Sequence, residues 1–181
     1  MNAPVDVQRH DAATRVLHWG AALLVAAAWG VGSTMEEFPR GASRDLAMQL
    51  HYSLGLLVLG TAALRVMWRA VAPPPPPRDD GSRWQARLAV AMHLALIGLT
   101  VALPLSGLFD RWARGRTVTV FGGWLVSPPF AIPGGRLWGE VHEVLANLLL
   151  AAVAAHVAAA LWHHFVQGDR SLARMLPRFG R

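Results

Sequence analysis

Four histidines, His18, His51, His142 and His156, lie in stretches that are otherwise apolar and long enough to cross a membrane. An ionisable ring at that depth is costly, so its presence marks a site. His142 and His156 share one predicted helix, fourteen residues apart. Fourteen steps return to within about 40° of the starting face and climb about 21 Å. One helix thus offers two imidazoles to the bundle interior, at two depths. His18 and His51 stand on separate helices at depths that pair with them. Imidazole is a common metal ligand, and two stacked imidazole pairs are a layout for two haems with axial histidines. The plainer reading is polar packing, each ring bonded to a neighbouring helix. Four rings in two height-matched pairs argue against it.

The elements that must carry these rings follow from composition. The chain has 181 residues, 54% hydrophobic and 15% charged, with a mean hydropathy of +0.33. Soluble domains carry about 25% charged residues, so the balance points to the membrane. The predicted fold class is an all-α membrane protein, a four-helix transmembrane bundle. It forms a single domain over 1–181, with spans at about 16–35, 46–68, 88–109 and 138–166. The first run is long, lacks a small-residue cleavage pattern before Glu36 and follows a polar segment, so it is expected to be retained as a span. Cysteine is absent. That excludes disulfides, Cys-held iron–sulfur clusters and covalent c-type haem, and leaves histidine to hold any haem.

Arginine counts give the orientation. Arg9, Arg15, Arg65, Arg69, Arg78, Arg83, Arg87, Arg170, Arg174, Arg178 and Arg181 fall near the termini and second loop; six fall in the first and third loops. Both termini are therefore expected in the cytoplasm. Helix 1 then runs outward and helices 2 and 4 inward. The outer pair is His51 with His142 and the inner pair is His18 with His156. By depth His163 matches His18 better, but it would separate the irons by about 31 Å; the shorter separation favours His156.

The remaining signals are weaker. Gly55, Ala152, Ala155 and Ala159 leave room for a flat macrocycle, though small residues also serve helix packing. His93 is open between ligand, propionate partner and quinone contact. His163 is either a quinone contact or an interfacial ring, while His164 reads as interfacial and His10 as solvated. The tryptophans fit an aromatic belt. The proline run 73–77 reads as extended, and Pro104 should kink helix 3. The third loop, about 110–139, carries Arg111, Arg114, Arg116 and Arg136. It is either a solvated loop or a basic mouth that draws a small anion inward.

Arg15-Val-Leu-His18-Trp19, Leu50-His51-Tyr52-Ser53-Leu54-Gly55, Ala102-Leu103-Pro104-Leu105-Ser106-Gly107 and His142-Glu143-Val144-Leu145-Ala146-Asn147-Leu148 resemble the bacterial cytochrome b561 family. So does the stretch from His156 to Phe165 with Asp169, Leu172 and Arg174-Met175-Leu176-Pro177. The resemblance spans nearly the whole chain, except that the third loop departs from the family pattern. It implies a multi-pass protein of the bacterial inner membrane with two haem b, held by His18, His51, His142 and His156. It further implies electron transfer from periplasmic superoxide to ubiquinone, with His163 at an inner quinone pocket. The alternative within the resemblance is a conduit subunit that links a dehydrogenase or hydrogenase, as redox partner protein, to the quinone pool. Outside it stands a haem-free transporter or metal-binding bundle. No nucleic-acid partner is expected.

Overall fold

Asp11 opens the first helix. Its carboxylate accepts from Thr14 N at 2.9 Å and from the Thr14 hydroxyl, satisfying an amide that has no partner inside the helix. Trp68 Nε1 donates to the same carboxylate at 2.9 Å, tying the start of helix 1 to the end of helix 2. The computed structural model describes residues 9–73, 83–169 and 171–176. In order they form α1 (Ala12–Thr34), α2 (Ala42–Val71), α3 (Arg83–Ala113), β1 (Val118–Val120), β2 (Trp124–Val126), α4 (Leu137–Phe165) and α5 (Ser171–Met175). Residues 74–77 of the proline run, with Arg78, Arg170, Arg178 and Arg181, lie outside the described residues.

Among the described residues, four helices are long and apolar enough to span a bilayer. They overrun the apolar stretches because charged residues continue the end turns: Asp45 in the first turn of α2, Arg69 in its last, and Arg111 in the last of α3. These charges suit the helix dipole. Pro104 sits inside α3, which stays helical from Arg83 to Ala113. Leu23, Met67, Leu94 and Leu148 point outward, as a lipid face requires.

Helix α1 packs along α2, α3 along α4, and α2 against α3. The interior is lined by small or branched residues: Ala21, Ala47, Val58, Ala62 and Leu149 are buried. Seven residues return a helix to nearly the same face. Val58 lies seven after His51, and Leu149 lies midway between His142 and His156. Both buried side chains thus occupy a layer between two histidine layers.

The third connection holds more structure than its glycines and prolines suggest. Strands β1 and β2 form an antiparallel hairpin in which Val118 faces Val126 and Val120 faces Trp124. Phe121 and Gly122 both take positive φ, +48° and +82°, and Gly123 N donates to Val120 O at 3.1 Å. That is a type I′ turn, whose twist matches the strands. Val118 and Val120 are fully buried beside α2 and α3. Phe121 N donates to Ser53 Oγ at 2.9 Å, anchoring the turn two residues beyond His51. The hairpin closes one end of the bundle.

Helix α5 folds back over the other end. Trp19 Nε1 donates to Met175 O at 2.9 Å, and Arg9 and Arg15 donate to Leu176 O at 3.0 and 3.2 Å. His10 N donates to Arg174 O at 3.3 Å. His10 is therefore half-buried rather than solvated, and burial, reinforced by Arg174, holds its imidazole pKa below the usual value.

Candidate functional site

At the hairpin end, α2 and α4 bring His51 and His142 together, with ring centroids 6.1 Å apart and planes at 83°. His51 Nδ1 donates to Ala28 O at 2.9 Å. His142 Nδ1 donates to Leu103 O at 3.0 Å, with Ser106 Oγ 3.1 Å away. A carbonyl can only accept, so each ring carries its proton on Nδ1 and keeps a bare Nε2. Two glycines make this placement feasible. A Cβ at Gly32 would lie 2.7 Å from His51 Cε1, and one at Gly107 would lie 3.0 Å from His142 Cε1. Only the fold sets either glycine against a ring. Gly55, one turn after His51, borders open space: a Cβ there would meet nothing within 4 Å.

At the opposite end, which the start of α1 and helix α5 share, α1 and α4 bring His18 and His156 together at 6.3 Å and 67°. A third ring joins them. His93 of α3 stands 5.6 Å from His156, and its Nδ1 donates to Ala89 O at 2.6 Å. Depth in the sequence left the role of His93 open; its azimuth on α3 is what brings it against α4. His163 is not part of this cluster of ring contacts. Its Nδ1 donates to Asp169 Oδ2 at 2.7 Å, where α4 ends. His164 Nδ1 is buried with no partner among the described residues.

A basic pocket of about 310 Å³ opens at the hairpin end, lined by Met35, Glu36, Arg40, Arg44, Met48, Arg111 and Arg116. Arg44 pairs with Glu36 at 3.6 Å. Met48 lies one turn before His51, and Arg111 stacks over the Tyr52 ring at 5.6 Å. Of the four arginines singled out in the third loop, Arg111 and Arg116 line the pocket. Arg114 instead pairs with Asp110, while Arg40 comes from the connection before α2 and Arg44 from the first turn of α2.

The family model for prokaryotic cytochrome b561 matches residues 9–178. The chain belongs to that family. It is 34% identical over 172 residues to cytochrome b561 homolog 1 of Escherichia coli K12, covering 90% of this chain and 93% of that one. It is 32% identical over 172 residues to homolog 2 of the same organism, covering 93% and 92%. It is also 30% identical over 165 residues to the probable superoxide oxidase CybB of Yersinia pestis, covering 90% and 92%. As a b561 cytochrome the protein is a multi-pass electron carrier of the bacterial inner membrane that binds haem b.

The side chains fit that group. Metal–imidazole bonds are about 2 Å long, so two rings on opposite faces of one metal ion have centroids about 6 Å apart once each half-ring is added. Both opposed pairs have that spacing, 6.1 and 6.3 Å. Each pair also has an arginine nearby whose buried Nε lacks a partner among the described residues: Arg111 beside Tyr52, and Arg15 three residues before His18. An unpaired buried donor costs about 1–3 kcal/mol, and the carboxylates of a haem would satisfy it.

Proposed function

We propose that the protein is a dihaem cytochrome that oxidises periplasmic superoxide and reduces ubiquinone. The observation that carries this reading is the stacking of two opposed imidazole pairs along α4, fourteen residues apart. His51 with His142 would hold one haem b and His18 with His156 the other. The haems supply a one-electron path between the two ends of the bundle. Both termini lie in the cytoplasm in this reading, as the arginine bias requires, so the hairpin end and its pocket face the periplasm. The reaction balances as two superoxide anions, one quinone and two protons giving two dioxygen molecules and one quinol.

The chain's own residues do the rest. Ala28 O and Leu103 O fix the tautomers of His51 and His142, so that Nε2 is free to bind metal. The basic pocket concentrates a small anion one helical turn from His51. At the cytoplasmic end, Asp169 orients His163 by its Nδ1 bond and leaves Nε2 to face a quinone carbonyl or pass a proton. The name carried by the Yersinia pestis relative supports superoxide as the donor. The test is haem quantification with stopped-flow mixing of superoxide and the purified protein plus ubiquinone. Two haems per chain and superoxide-dependent quinol formation are expected, with His51→Ala or His142→Ala each leaving one haem. Two haems with no response to superoxide would point to the conduit subunit; retention of both haems in those variants would sink the dihaem assignment.

A further inference from the structure

The two histidine layers are not built alike. In the hairpin-end layer, α3 supports the α4 histidine: Gly107 gives it space, and Leu103 O accepts its Nδ1 proton at 3.0 Å. Fourteen residues earlier on α3, on nearly the same face, the counterparts of Gly107 and Leu103 are His93 and Ala89. The Ala89 carbonyl is engaged by His93 Nδ1 at 2.6 Å. The His156 ring makes no hydrogen bond among the described residues, and the ring nearest it on α3 is His93, at 5.6 Å.

The Ala89 bond fixes the His93 tautomer. With its proton on Nδ1, the ring presents Nε2 as an acceptor. A histidine that binds metal through one nitrogen almost always gives the proton on the other to an acceptor, which orients the ring and raises its donor strength. His142 has Leu103 O in that role; at the other layer the corresponding carbonyl, Ala89 O, accepts from His93 Nδ1 and not from His156. We propose that His93 is the positioning residue of the cytoplasmic-side site, its Nε2 accepting a hydrogen bond from Nδ1–H of His156 while its own Nδ1–H donates to Ala89 O. Helix α3 thereby sets the axial field at that site through a side chain, whereas at the other it does so through its backbone. The proposal rests on His18 and His156 being the axial pair.

The experiment compares wild type, His93→Leu and His93→Gln by haem quantification, redox titration and low-temperature EPR of the two low-spin ferric signals. Leucine removes the acceptor; glutamine keeps one on a side chain of similar reach. In His93→Leu both haems should remain, one midpoint potential should rise because its ligand donates less, and that haem's EPR g-values should move. The other haem should be unchanged, and His93→Gln should return both readouts toward wild type. Unchanged potentials and g-values in His93→Leu would overturn the proposal. So would loss of one haem in both variants, which would make His93 a ligand. A wild-type protein with a single haem would instead defeat the dihaem reading itself.

Discussion

Gly32 decides more about the hairpin-end site than its size suggests. The His51 ring can donate to Ala28 O only by lying across the α1 backbone, and Gly32 is where the two touch. A Cβ there would stand 2.7 Å from Cε1, closer than carbon atoms tolerate, so the imidazole must swing away. Gly32→Ala is expected to lower haem content from two per chain toward one, read by pyridine haemochromogen. Gly60→Ala, where an added Cβ meets nothing within 4 Å, should leave it unchanged. A second residue-scale effect concerns Asp11. Hydrogen bonds from Thr14, with Trp68 contributing, hold its pKa below the ordinary 3.8. A carboxylate depressed in the folded state stabilises above its unfolded pKa and stops doing so as pH falls through the folded value. The start of α1 should therefore loosen below about pH 4. Asp11→Ala should cost about 1 kcal/mol at neutral pH, with Asn keeping most of the cap; thermal unfolding in detergent reads both.

At the scale of elements, the four long helices were legible because nothing but a membrane span accounts for four long uncharged runs in 181 residues. The histidine pairs were legible for a related reason: depth along a span can be counted in residues. Azimuth is harder, and so His93 was left undecided until α3 was seen to turn it toward His156. The hairpin was missed. Its signal was present in Thr117-Val-Thr-Val, alternating on a buried face, followed by Phe-Gly-Gly, a turn sequence; the surrounding prolines and glycines masked it. Two side-chain bonds tie the hairpin to the helices: Phe121 N donates to Ser53 Oγ at 2.9 Å, and Trp112 Nε1 of α3 donates to Val126 O at 3.2 Å. Ser53→Ala leaves that amide without its acceptor, an effect of about 1–3 kcal/mol. Amide exchange across Val118–Trp124 should speed up while the middle of α4 stays protected. Equal exchange in both proteins would mean that burial of Val118 and Val120, with the Trp112 bond to Val126 O, holds the hairpin without Ser53.

For the whole molecule, the distribution of charge matters more than its sum. The chain carries a formal +6, yet only four of its arginines, with one glutamate, converge on the pocket beside His51. A walled cleft of one sign concentrates a small anion and raises its encounter rate, by 10-fold or more in favourable cases. Salt screens that attraction within about 8–10 Å at physiological strength. The second-order rate constant with superoxide should therefore fall as ionic strength rises. Arg40→Gln and Arg116→Gln should each lower it by roughly 3- to 10-fold at low salt and flatten its salt dependence. Arg136→Gln makes the same change in net charge outside the pocket lining, at the start of α4, and should have little effect. Stopped-flow traces at several salt concentrations separate the two cases. If all three variants slow the reaction equally, the anion responds to total charge and the pocket has no special part in its approach. If only the pocket variants do, the first and third loops together form the mouth of the site, joining arginines on either side of the hairpin end that no single stretch of sequence could bring together.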